Sequence, residues 1–194
     1  SGSNLITDIV EIEDEKFLIS TDRCLIALDY QKSSEFSFKF IRNTESLTAE
    51  NFFTDLYLDS LGHLWAGTKN GLFKSQGEVK DFNFELEEIY TDRNESIPFE
   101  RGINFINQDA EGHIWIGTLD GKLYLSNESN SPDFDLVREE ISRSVRQEIM
   151  TYTTFYQSPS EKILWIGTDI DGVKKLTFSG RNFENIVYSG KSNK

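Results

Sequence analysis

The chain of 194 residues is poor in the residues that cross-link or interrupt a fold: one cysteine, three prolines, one methionine and two histidines. The lone Cys24 excludes an intrachain disulfide, so packing alone holds the fold, and the redox compartment stays open. No stretch approaches the roughly 20 apolar residues that a spanning helix needs, and no basic start precedes an apolar run, so neither membrane insertion nor a signal peptide is expected. Basic residues are scarce, 20 Lys and Arg against 33 Asp and Glu, for a formal charge of −13. That balance disfavours phosphate backbones and anionic lipid, and nucleic acid is not an expected partner. The acidic runs, such as Glu11-Ile12-Glu13-Asp14-Glu15, read as solvated surface. The opening Ser1-Gly2-Ser3 reads as a cloning remnant ahead of a domain, or piece of one, that runs from residue 4 to residue 194.

What the chain does have is apolar and repeated. Its composition, 37% hydrophobic with 13% aromatic, suffices for a core and excludes disorder as the main state. The segment Leu64-Trp65-Ala66-Gly67-Thr68 returns as Ile114-Trp115-Ile116-Gly117-Thr118 and as Leu164-Trp165-Ile166-Gly167-Thr168, which uses all three tryptophans. A degenerate copy stands at Phe17-Leu18-Ile19-Ser20-Thr21, and upstream of it Asn4-Leu5-Ile6-Thr7-Asp8-Ile9 lies over Asn51-Phe52-Phe53-Thr54-Asp55-Leu56. A fixed period in this range signals a repeat architecture. The repeats run about 4–46, 47–96, 97–146 and 147–190.

Each repeat reads as four short strands. In the second, Phe52 to Leu58 leads through the turn Asp59-Ser60-Leu61-Gly62 to a strand from His63 to Thr68, then through Lys69-Asn70-Gly71 to a third strand from Leu72. Val79 to Leu86, with alternating Phe82 and Phe84, supplies the fourth. Along the second strand Trp65 and Gly67 share one face while Leu64, Ala66 and Thr68 share the other, and a small sheet apolar on both faces has to be covered on both. Radial stacking of such sheets does this. The expected fold is an all-β propeller of four antiparallel four-stranded blades, standing alone or within a larger propeller. Gly67, Gly117 and Gly167 are then places where the adjacent blade approaches closely. One segment departs: Val137, Ile141, Val145 and Ile149 recur every four residues, which predicts a short helix over 138–149 in an inter-blade loop, as surface decoration or as a lid.

Catalytic and metal chemistry finds little support. His63 and His113 hold the same repeat position, so they point outward in parallel instead of converging, and Asp59 and Asp109 read as turn formers. Cys24 aligns with Gly71 and reads as inert. No nucleophile elbow, phosphate loop or zinc spacing occurs, so no enzyme activity, metal or cofactor is expected.

The run from Ser46 to Leu72, with its Asp-x-x-Gly turn followed by Leu-Trp-Ala-Gly-Thr and Gly-Leu, resembles the two-component regulator propeller repeat. The resemblance covers three repeats well and the first weakly. It implies a periplasmic or extracellular ligand-sensing region of a bacterial two-component receptor, associated with polysaccharide use, whose signalling domains lie outside this chain. Repeat four departs from the pattern, carrying Ser158-Pro159-Ser160-Glu161-Lys162 in place of the turn. Propeller geometry places a ligand where the segments leading into the first strands meet the turns between second and third strands. The candidates are Asn51, Arg101 and Tyr152 from the former and Lys69, Asn70, Asp120 and Asp169 from the latter. An aromatic ring beside amides and carboxylates suits an oligosaccharide. A protein–protein interaction scaffold on the same fold is the alternative. Because each repeat starts with its innermost strand and ends with its outermost, no strand is left over to lock a ring. The terminal blades therefore either meet through side chains or present apolar faces for a homodimer or a larger assembly.

Overall fold

The computed structural model describes residues 5–30, 36–41, 52–80, 82–92, 97–98, 102–137, 151–157, 163–170 and 172–177. Among them are four antiparallel sheets, each a meander whose strands pair in chain order. Sheet 1 holds β1 (Ile6–Glu13), β2 (Lys16–Thr21), β3 (Leu25–Tyr30) and β4 (Phe36–Ile41). Sheet 2 holds β5 (Phe53–Leu58), β6 (His63–Thr68), β7 (Leu72–Glu78) and β8 (Leu86–Asp92), with the two-residue β9 (Ile97–Pro98) on its edge. Sheet 3 holds β10 (Ile103–Gln108), β11 (Ile114–Thr118), β12 (Leu123–Ser126) and β13 (Phe134–Leu136); sheet 4 holds β14 (Tyr152–Gln157), β15 (Ile163–Thr168) and β16 (Val173–Thr177).

The hairpins form as their turn residues dictate. In the β5–β6 turn the Gly62 N–H donates to Asp59 O at 2.9 Å, and Gly62 takes the left-handed φ of 79° that an L side chain resists. The alignment of Cys24 with Gly71 holds: Thr21 N–H donates to Cys24 O as Thr68 N–H donates to Gly71 O. The fourth strand of the second repeat lies later than Val79 to Leu86. That stretch is the connection, in which Phe82 adopts a φ of 56° and Val79 and Phe84 turn into the core, and pairing resumes only at β8. The segment 138–149 lies outside the described residues.

Among the described residues three clusters form the core, and each is shared between consecutive sheets. Leu18 and Ala27 of sheet 1 meet Phe53, Leu56, Leu64 and Ala66 of sheet 2. Trp65 and Leu72 on the other face of sheet 2 meet Ile103, Ile106, Ile114 and Ile116 of sheet 3. Trp115 and Leu123 then meet Tyr152, Leu164 and Ile166 of sheet 4. The two-faced reading of the tryptophan strand is thus realised as a stack.

A second feature recurs in every first strand. The pairing slips by one residue between Ile6 and Asp8, Phe53 and Asp55, Ile103 and Phe105, and Tyr152 and Thr154. Each slip is a bulge, which bends the strand and re-aims the side chain that follows. For Asp8 and Asp55 the target is the next sheet: Asp8 Oδ2 accepts the Leu56 N–H at 2.9 Å and Asp55 Oδ2 accepts the Ile106 N–H at 2.6 Å.

The glycine expectation needs correction. A Cβ on Gly67 would lie 2.7 Å from Ile103 Cγ2 in the next sheet, as anticipated. On Gly117 and Gly167 it would meet Phe105 and Thr154, their cross-strand partners in their own sheets. There the missing side chain makes room for a neighbouring strand's residue, not for an adjacent sheet.

Candidate functional site

At one end of each sheet the segment leading into the first strand is tied to the turn between the second and third. Asp22 N–H donates to Leu5 O, Lys69 N–H to Phe52 O, Leu119 N–H to Gly102 O and Asp169 N–H to Thr151 O. Adjacent sheets also touch here, since a Cβ on Gly102 would sit 2.7 Å from Lys69 Cα. This end therefore gathers Lys69, Asn70, Asp120 and Asp169 on consecutive turns. Lys69 and Asn70 are exposed, and the Lys69 Nζ stands 4.0 Å from the centre of the Phe52 ring. Asp120 accepts the Thr118 hydroxyl and lies 3.4 Å from Lys122 Nζ. Asp169 accepts the Thr151 N–H at 2.9 Å, a bond that holds its carboxyl below the usual range. Asn51 and Arg101 lie outside the described residues.

Tyr152 belongs elsewhere. It is 3% exposed, packs between sheets 3 and 4, and accepts the Asn104 Nδ2–H at its carbonyl. It pairs with Thr168 as Phe53 pairs with Thr68 and Ile103 with Thr118. Its ring is spent on the core, while Phe52, which the sequence did not single out, is an aromatic of this end.

The repeated Asp, His and Trp form a structural unit at the opposite end. Buried Asp59 accepts the Leu61 and His63 N–H groups on Oδ1 and the Trp65 Nε1–H on Oδ2, each at 2.9 Å, with His63 Nδ1 at 3.2 Å. Asp109 does the same for Glu111, His113 and Trp115. A carboxylate so committed locks the turn to the tryptophan and leaves little for chemistry. Among the described residues no group of three or more His, Cys, Asp or Glu could hold a metal.

Asp8 and Asp55 form a closer pair of acids. Burial pushes the Asp55 carboxyl up to about 7, against the Ile106 N–H that lowers it, and the charge of Asp8 and a hydrogen bond between the two carboxyls raise it further. Sequence periodicity gave both positions but not their meeting, which depends on the bulges.

Residues 46–70 match the family model described as two component regulator propeller. The chain carries a two component regulator propeller repeat. No curated protein matches the chain by sequence. Among solved structures it is similar to the extracellular domain of BT4673 from B. thetaiotaomicron, named as part of a hybrid two component system, at 20% identity and a TM-score of 0.68. That alignment covers 93% of this chain and 22% of the other. The extracellular domain of BT3049 from the same organism, named likewise, gives 12% identity and a TM-score of 0.66 over 96% and 25%. The WD40 β-propeller domain of Doa1 gives 15% identity and a TM-score of 0.63 over 100% of this chain and 57% of that one. At these identities the likeness is one of fold: the sheets stack as propeller blades do. The chain spans less than a third of the length of either two component relative.

Proposed function

We propose that this chain is a non-enzymatic, ligand-sensing part of the propeller region of a bacterial two-component receptor, situated outside the cytoplasm, with each of its four sheets serving as a blade. The observation that carries the reading is the family match at 46–70, extended by the same Trp-x-Gly-Thr pattern at the same place in the next two sheets. The ligand face is the end bearing Phe52, Lys69, Asn70, Asp120 and Asp169, and the ligand is an oligosaccharide. Cationic, amide and carboxylate groups on successive turns suit a row of hydroxyls, and an aromatic edge suits the apolar face of a sugar ring. The signalling domains it would address lie outside this chain.

Calorimetry against a panel of neutral and acidic oligosaccharides tests the reading. We expect saturable binding to one class, weakened about tenfold or more by Lys69→Ala or Asp169→Ala. Silence across the panel, or binding that ignores both substitutions, would overturn the assignment of this face. A second reading, an interaction scaffold, is favoured by one specific observation, the large apolar side chains exposed on sheets 1 and 4.

A further inference from the structure

The internal faces of the stack use equivalent positions in each sheet, with side chains that change from one contact to the next. The outgoing face of sheet 2 presents Tyr57, Trp65 and Lys74 in one cross-strand row, with Leu72 beside them. The incoming face of sheet 3 receives it with Ile103, Ile106, Ile114 and Ile116. Sheet 4 repeats the outgoing row as Tyr156, Trp165 and Lys175, with Val173 in the place of Leu72. Yet Trp165 is 39% exposed where Trp65 and Trp115 are 0%, and Tyr156 and Val173 are exposed with it. Lys175 lies 5.7 Å from the Trp165 ring, whereas Lys74, over Trp65, reaches into sheet 3 and donates to Asn130 O.

Sheet 1 carries the other half. By strand pairing Ile6 and Ile9 stand where sheets 2 and 3 have Phe53 and Leu56, and Ile103 and Ile106. Those four are at most 5% exposed, while Ile6 and Ile9 are 55% and 54%. The polar links are also prepared. Glu11 occupies the position of Gln108 and Gln157, whose side-chain carbonyls accept the N–H groups of Ser60 and Ala110 in the preceding sheet. The Ile9 N–H, whose equivalents in β5 and β10 bond the preceding sheet's aspartate, bonds its own Asp8 instead.

An outgoing face without a recipient and an incoming face without a donor among the described residues are two halves of one interface that the chain already builds internally. We propose that a second copy of this chain fills both, its sheet 1 seated on the sheet 4 of the first and its sheet 4 on the first copy's sheet 1. Such a contact is head-to-tail, so it must either close or polymerise. Closure after two copies is the outcome expected from size: the chain aligns with 57% of the Doa1 propeller domain, so two copies supply slightly more than one such ring. The proposal rests on the packing and is independent of which ligand the turns bind.

Light scattering with the whole chain over a rising concentration series is the test, with Ile9→Glu and Trp165→Glu as variants. Both sites are exposed in the single chain, so each variant should fold, as circular dichroism would verify. We expect twice the 22.3 kDa chain mass for the parent, and dissociation at least about 100-fold easier for either variant. An equimolar mixture of the two variants rebuilds one intact Ile9–Trp165 interface per pair and should recover dimer partly. A parent that stays at the mass of one chain, or grows past two, would overturn the proposal, as would a dimer indifferent to both substitutions.

Discussion

Trp115 and Trp165 sit in nearly identical strands, Ile-Trp-Ile-Gly-Thr and Leu-Trp-Ile-Gly-Thr, yet one is fully buried and the other 39% exposed. Two things differ. Sheet 4 follows Trp115 and covers it, whereas none of the described residues covers Trp165. And Asp109 stands six residues before Trp115 to accept its indole N–H, while the residue six before Trp165 is Pro159. The motif therefore specifies a strand and a face; the energy of burying that face comes from the neighbouring sheet. A repeat protein of this kind is stabilised chiefly by nearest-neighbour terms, and its end units hold unspent apolar surface.

The sharpest way to break this comparison is to remove both rings. Trp115→Ala should cost about 3–5 kcal/mol in denaturant melts, while Trp165→Ala in dilute protein should cost less than about 1.5 kcal/mol. Equal losses would contradict the stack. Next in size is the carboxylate beneath the ring. Asp109→Ala strands the indole N–H and two turn N–H groups, for a loss of about 2–4 kcal/mol, whereas His113→Ala removes a partly exposed ring and should stay within about 1 kcal/mol. Chemical denaturation of the two variants side by side checks the ratio.

The Asp8–Asp55 pair sharpens the comparison between the sheet 1–sheet 2 contact and the sheet 3–sheet 4 contact, where Phe105 replaces the aspartate and packs on Phe155. Asp55 titrates near 7 when folded and from an ordinary 3.8 when unfolded, so the folded state binds the proton more tightly. Stability from this group is full below about pH 4, falls as pH rises toward 7, and is level above that. Asp55→Asn keeps an oxygen for the Ile106 N–H and a donor for Asp8 without the charge. It should flatten that slope and leave the variant about 1–3 kcal/mol more stable than the parent at pH 8. Melts at pH 4, 6 and 8 decide; a parallel slope in the variant would place the titration elsewhere.

Much of this was legible in advance because the tryptophan period marks the second strand of each sheet, and its two-faced pattern dictates stacking. Tyr152 was misread for a physical reason. The turn Ser158 to Lys162 that lost Asp-x-x-Gly is one residue longer than its counterparts: Gln157 pairs with Leu164 across seven positions, whereas Gln108 pairs with Ile114 across six. The counterpart of Ile103 is therefore Tyr152, forty-nine residues on instead of fifty, so Tyr152 stands two residues past the place of Arg101, already inside the strand and in the core. The bulges were illegible for a related reason, since one extra residue in a strand leaves no compositional mark. Phe82 and Phe84 alternate like strand residues, but Phe82 takes a left-handed φ and the pairing with β7 begins only at Leu86.

The smallest expected effect separates two glycines in the same sheet. Gly67 lies in β6 facing sheet 3, where an added Cβ would fall 2.7 Å from Ile103 Cγ2 and 2.8 Å from Ile103 Cβ. Ile103 is fully buried between the sheets and cannot step aside without moving β10, so Gly67→Ala should cost about 1–3 kcal/mol as overpacking. Gly77 lies in β7, and an added Cβ there would meet nothing within 4 Å. Its φ is not left-handed, so alanine fits the native backbone while restricting the unfolded chain, and Gly77→Ala should be neutral or stabilising by up to about 1 kcal/mol. Thermal melts of the pair against the parent measure the difference directly. If Gly67→Ala were as harmless as Gly77→Ala, sheets 2 and 3 could not be in the close contact on which the covered tryptophan depends, and the contrast between Trp65 and Trp165 would lose its cause.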